Sequence, residues 1–241
     1  MSSQSKDLKK KRKYFAFFTL TILTSIILCS VFTYTRNSLW KDQITFWLDV
    51  ISKNPNDTKI HNNLGQAYLK QSNLEKASYH FKESLRLSPR FSHPMINLGI
   101  ISITQKKYND ALYYFDMAIT NNARNPIAYY NRGIAYQNTG NYDNALNDYT
   151  NAIKLKANYI HPYYNMAIVY LKTGKPLEAI ERLEELIKII PKNTQALSLL
   201  ATAHAEASDY PKAIEVFEKV LDIEPSNKSA KKNIETLRSK M

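Results

Sequence analysis

The chain repeats itself every 34 residues, and this period limits what it can fold into more than any other feature. Ala77 recurs as Ala111, Ala145, Ala179 and Ala213. Four positions later Phe81, Phe115, Tyr149, Leu183 and Phe217 keep the same step. Leu64, Leu98, Met166 and Leu200 hold a third register position, with Arg132 as the exception, and Gly65, Gly99, Gly133, Ala167 and Ala201 follow them. Each window reads as two amphipathic helices. The first presents Leu64, Tyr68 and Leu69, or Ile134 and Tyr136, at helical spacing. A break follows, with Gly140 or Gly174 at the helix end, where a left-handed residue costs least. The second helix then places Ala77 and Phe81 four apart on one face. Small residues in both helices let their backbones approach. One such pair cannot bury both of its faces, so the pairs must stack into an all-α solenoid.

A 34-residue period carrying two helices resembles the tetratricopeptide repeat. The residues follow its W-x-x-L-G-x-x-Y…A-x-x-x-F…A…P pattern in five consecutive windows: 58–91, 92–125, 126–159, 160–193 and 194–227. The resemblance implies five helix-turn-helix repeats. Residues 228–241, KSAKKNIETLRSKM, form a polar segment with Ile234 and Leu237 as a sparse apolar stripe, which suits a C-terminal capping helix. Residues 36–57 read as a half repeat, a lone second helix ending at Pro55 in the phase of Pro89. Trp40, Ile44, Trp47, Leu48 and Ile51 share one face of it. That face covers the edge of the first repeat, or Trp40 and Trp47 rest on a membrane surface.

Upstream, residues 14–35, YFAFFTLTILTSIILCSVFTYT, hold no charge and no proline. As a helix these residues would rise about 33 Å, enough to cross a hydrocarbon core of about 30 Å. Tyr14 and Tyr34 stand at the ends, where amphipathic rings prefer the interface. The apolar core of a cleaved signal peptide runs only about 7–15 residues before a small-x-small site. This run is longer and lacks such a site, so a transmembrane anchor is expected. The formal charge of the chain is +12. Residues 1–13 concentrate it in Lys6, Lys9, Lys10, Lys11, Arg12 and Lys13 against Asp7. The positive-inside rule puts this tail in the cytoplasm and the repeats outside it, which is the periplasm if the cell is Gram-negative.

In the family that the chain resembles, the first helices line a concave groove. Carrying its groove positions over gives Lys59, Asn62, Asn63, Gln66 and Lys70 in the first repeat. The second offers His93, Ile96, Asn97, Ile100 and Ile103, and the third Ile127, Tyr130, Asn131, Ile134 and Gln137. His161, Tyr164, Asn165, Ile168 and Lys172 follow in the fourth, and Gln195, Ser198, Thr202 and Glu206 in the fifth. Asn63, Asn97, Asn131 and Asn165 recur at the period, similar to the asparagine ladder in the repeats of the O-linked N-acetylglucosamine transferase. An amide both donates and accepts, so such a row can hold the backbone of an extended peptide or brace neighbouring turns. Tyr130 and Tyr164 add amphipathic anchors. The carboxylate clamp known in some members is not matched, because Asn62 and Gln66 stand at its first pair and Ile127 and Asn131 miss its last.

The lone cysteine, Cys29, excludes a disulfide framework and a thiol metal site. The five histidines are scattered and no pair has metal-ligand spacing within a helix. No phosphate-binding glycine loop is present, so neither an enzyme nor a cofactor is expected. Nucleic acid is disfavoured, since no basic stripe with interleaved aromatics survives the helical phase. The stretch TYTRNSLWKDQITFWLDVISKNPNDTKIHNNLG resembles the junction after the last membrane helix of bacterial multi-spanning glycosyltransferase-like repeat proteins. It brings none of their acidic catalytic loop. The expected function is a membrane-anchored scaffold that binds a protein or peptide in envelope assembly or secretion. An accessory domain for envelope glycan synthesis and an organelle import receptor are the alternatives.

Overall fold

The computed structural model describes residues 24–31 and 42–241. The basic tail, most of the expected span 14–35, and Trp40 lie outside the described residues. Residues 24–31 form a helix, α1, whose side chains are exposed. Among the described residues no helix is long and apolar enough to cross a membrane.

Every other element is also helical, and no strand occurs among the described residues. The order is α2 (Gln43–Lys53), α3 (Thr58–Lys70), α4 (Leu74–Leu87), α5 (Ser92–Thr104), α6 (Tyr108–Asn121), α7 (Pro126–Asn138), α8 (Tyr142–Leu155), α9 (Ile160–Lys172), α10 (Pro176–Ile189), α11 (Thr194–Glu206), α12 (Tyr210–Ile223) and α13 (Lys228–Arg238). The helices group into two compact units, one ending at Leu87 and the other running Ser88–Met241.

The turn inside each hairpin is the same in all five repeats. Ser72, Lys106, Gly140, Gly174 and Ser208 occupy one register position, and all have φ between 58° and 78°. The next residue's N–H reaches back five positions: Asn73 to Tyr68, Lys107 to Ser102, Asn141 to Tyr136, Lys175 to Tyr170 and Asp209 to His204. This is a Schellman closure, which satisfies carbonyls that the helix end leaves unpaired. The two glycines take the left-handed conformation freely, whereas Ser72, Lys106 and Ser208 hold it against their Cβ atoms.

Hairpin packing follows from the small residue of the first helix. A Cβ on Gly65, Gly99 or Gly133 would come within 2.5–2.6 Å of Phe81, Phe115 or Tyr149. All three rings are fully buried. Where Leu183 replaces the ring, Ala167 is tolerated opposite it and is itself buried. In Ser88–Met241 the last two repeats and α13 share one core, with Leu183, Leu186, Val216, Phe217, Ile234 and Leu237 all buried. In the first unit α2 buries Ile44, while Leu48 stays exposed, so the expected single apolar face is only partly used.

Arg132 breaks the apolar pattern and is compensated. Its Nε and Nη2 donate to the two carboxylate oxygens of Asp148, each at 2.7 Å, and Nη1 donates to Asp116 at 2.6 Å. The rings of Tyr129 and Tyr136 lie 5.6 and 5.9 Å from the guanidinium. Asp148 is 1% exposed. Burial pushes its carboxyl upward and Arg132 pulls it back, while Asp148 in turn holds the guanidinium firmly protonated.

Candidate functional site

The site begins at two of the repeats' first helices, α5 and α9, which start without a side-chain cap, as the second helices α6, α8 and α10 also do. Ahead of α3, α7, α11 and α13 stand Asp57, Asn125, Asn193 and Asn227, whose side chains accept backbone N–H groups of the first turn. Phe91 and Tyr159 occupy the same register position before α5 and α9, and neither supplies a side-chain cap. A missing cap costs roughly 1 kcal/mol. Both times an aromatic takes the place, with a histidine two residues on. The ring centroids are 5.2 Å apart for Phe91 and His93 and 5.9 Å for Tyr159 and His161.

Tyr159 thereby joins an aromatic cluster drawn from α7, α8 and the start of α9. The Tyr130 ring lies 5.1 Å from Tyr159, 5.9 Å from His161 and 6.0 Å from Tyr149. Tyr149 donates its hydroxyl to Gln137 Oε1 at 2.6 Å. Asn165 Nδ2 stands 3.4 Å from the Tyr130 hydroxyl and 3.5 Å from that of Tyr149. Burial raises the phenols of Tyr130 and Tyr149 and pushes Tyr159 up to about 12, so these hydroxyls stay protonated.

The four periodic asparagines are not equivalent. Asn131 turns its amide back onto the Ile127 carbonyl of its own helix at 2.8 Å. Asn165 braces the two tyrosines just described. Asn97 is half-buried in α5, and Asn63 is half-buried in α3 of the first unit. Lys59 is exposed in the first turn of α3, where Asp57 accepts its backbone N–H at 2.7 Å. His93 and His161 are exposed, while Tyr130 and Tyr164 are half-buried. Asn62 and Ile96, which the family's positions assign to the groove, are instead buried at 5% exposure each. Their side chains belong to the packed interior of α3 and α5 and do not offer an open surface.

Next to the cluster, two hollows open along α9 and α11. One, of about 200 Å³, is lined by Ile160, His161, Leu186 and Ile190. The other, of about 520 Å³, is lined by Thr194, Ser198, Thr202, Glu224 and Asn227. Tyr164 and Gln195 line both. Sequence reasoning found Tyr164, Gln195, Ser198 and Thr202 but missed Tyr159, Glu224 and Asn227, which lie between helices. The signal for Tyr159 was its position, an aromatic where the period elsewhere places Asp or Asn. Among the described residues no group of histidine, cysteine and carboxylate side chains is arranged to hold a metal.

Comparison with known proteins agrees with this architecture. One tetratricopeptide repeat model matches residues 58–91 and 126–159, and a second matches 158–226. Residues 33–57 of the glycosyltransferase-like junction fall outside both, so that resemblance rests on the residues alone. No curated protein matches the chain. MamA from Desulfovibrio magneticus RS-1 is similar in structure, with a TM-score of 0.64 at 22% identity over 71% of this chain and 97% of that one. YrrB, described as a tetratricopeptide repeat protein with an unusual peptide-binding site, has a TM-score of 0.63 at 20% identity, covering 76% of this chain and 95% of its own. Yeast Tom70 has a TM-score of 0.61 at 21% identity over 81% of this chain and 42% of that one. At these identities the likeness is one of fold. The repeat models together span more than half of the sequence, on the same hairpins whose turns and small-residue contacts recur in register, and the chain belongs to the tetratricopeptide repeat family.

Proposed function

We propose that this protein is a membrane-anchored scaffold whose Ser88–Met241 unit holds a protein or extended peptide along the first helices of its repeats. The observation that carries the reading is the pair of open hollows sharing Tyr164, beside a cluster built at the expense of a helix cap. His161, Tyr164, Gln195 and Ser198 are assigned to ligand contact. Tyr130 and Asn165 hold the neighbouring rings in place. YrrB, similar in fold, is a protein with a peptide-binding site, which is in keeping with this assignment. The anchor and the placement outside the cytoplasm rest on the sequence, in the uncharged run 14–35 and the basic residues before it. Envelope assembly or secretion is the setting we assign.

The test is affinity capture from envelope extract with the full chain in detergent, in parallel with Tyr164→Ala and Tyr130→Ala. Tyr164→Ala should lose specific partners while keeping the parent's helicity and melting temperature. Recovery of the same proteins in the same amounts by every variant would move binding away from this face.

A further inference from the structure

The two hollows that meet at Tyr164 differ in chemistry. Ile160, Leu186 and Ile190 supply the apolar wall of the smaller one, with His161 and Asn193 on its polar side. Hydroxyls, amides and Leu199 line the larger one, with Glu224 as its carboxylate. That carboxylate is fixed in place. Oε1 accepts from the Thr194 hydroxyl at 2.7 Å and Oε2 accepts from the Asn227 amide at 2.9 Å. Asn227 is itself locked, because its Oδ1 accepts the Ala230 N–H at 3.0 Å as the cap of α13. The Thr194 bond first, and the Asn227 bond second, hold Glu224 below the usual carboxylate range, so it is ionised at neutral pH. A carboxylate offers about four lone-pair sites, and two donors leave the others for a ligand. No lysine or arginine lines either hollow to neutralise it.

Resting on the groove reading above, we propose that Glu224 and the hollow around it form a cation subsite. It selects peptides that carry a lysine or arginine two positions from an aliphatic residue. Residues two apart share a face of an extended chain. The aliphatic side chain enters the Ile160–Leu186–Ile190 hollow and the basic one reaches Glu224. Tyr164 stands between them, where its ring suits both the apolar stem and the charge of a basic side chain.

The test uses the full chain in detergent micelles and fluorescein-labelled nine-residue Gly-Ser peptides with central Leu-Ser-Lys, Leu-Ser-norleucine or Leu-Ser-Glu. Anisotropy titration should rank Leu-Ser-Lys tightest, by about two- to fivefold over norleucine, as one ion pair at an exposed carboxylate predicts. Added salt should shrink that margin. Glu224→Gln should bring the lysine peptide down to the norleucine level and leave the norleucine peptide unchanged. Ser198→Lys, which leaves the Thr194 and Asn227 bonds intact, should abolish the preference for lysine over norleucine if Glu224→Gln loses stability. Equal affinity for the lysine and glutamate peptides, or a lysine preference that survives both variants, overturns the subsite. Peptides that bind without preference and are displaced by Ser198→Trp leave the groove reading standing and remove the subsite. Peptides that bind nowhere remove both.

Discussion

At the scale of single residues, most of the chain obeys its period, and the departures carry the information. Arg132 stands where leucine or methionine stands in the other repeats, and Asp148 stands where the fifth repeat has Val216. A buried pair contributes little net stability, yet breaking it leaves a charge with no partner at a cost of about 3–5 kcal/mol. Arg132→Leu should therefore lower unfolding free energy by about that amount, since Asp148 is almost wholly enclosed. Arg132→Leu with Asp148→Val recreates the fifth-repeat pairing of Leu200 and Val216 and should return to within about 1 kcal/mol of the parent. Urea denaturation of the three proteins measures this. Equal stability of the single and double variants would mean that the carboxylate does not need its partner. The exception was visible in the sequence, but its compensation was not, because Asp148 and Asp116 lie on other helices.

At the scale of elements, the hairpin of α3 and α4 holds a pH-sensitive contact. The His80 ring is stacked on Tyr68, 5.6 Å away and 6° from parallel. Its Nδ1 meets His61 Nδ1 at 3.2 Å, while His61 Nε2 contacts the Pro55 carbonyl at 3.0 Å. A carbonyl only accepts, so His61 donates from Nε2 and accepts the His80 N–H. Burial, then His61, lowers His80 to about 4, with Glu83 opposing and Lys76 adding to the shift. Between pH 6.5 and 4 the unfolded chain binds a proton that the folded hairpin refuses. The contribution of this contact to stability is thus complete above pH 6.5, is lost as the pH drops toward 4, and changes no further below it. His80→Phe keeps an aromatic against Tyr68 and should flatten the loss of melting temperature between pH 7 and 4, followed by circular dichroism. Parallel curves for parent and variant would remove His80 as the cause. Helix existence and phase were legible from the pattern of Ala77 and Phe81. The left-handed turns at Ser72, Lys106 and Ser208 were not, since no glycine marks them, and hairpin closure alone imposes that conformation.

At the scale of the whole molecule, the question is how the repeats are tethered. The full chain should stay with membranes through an alkaline carbonate wash, and residues 37–241 should be released. Release of the intact chain would remove the anchor. The sequence by itself determined the 34-residue period, the placement of glycine or alanine opposite each buried large residue, and the family, because these depend on contacts within one window. Tertiary structure decided which partner each polar side chain takes. It turned Asn131 onto its own helix, set Asn165 against Tyr130 and Tyr149, and brought Glu224 to the hollow beside Tyr164. A period places residues on a face, but stacking and rotamer choice select the partner of each polar group, and no spacing along one chain encodes that choice.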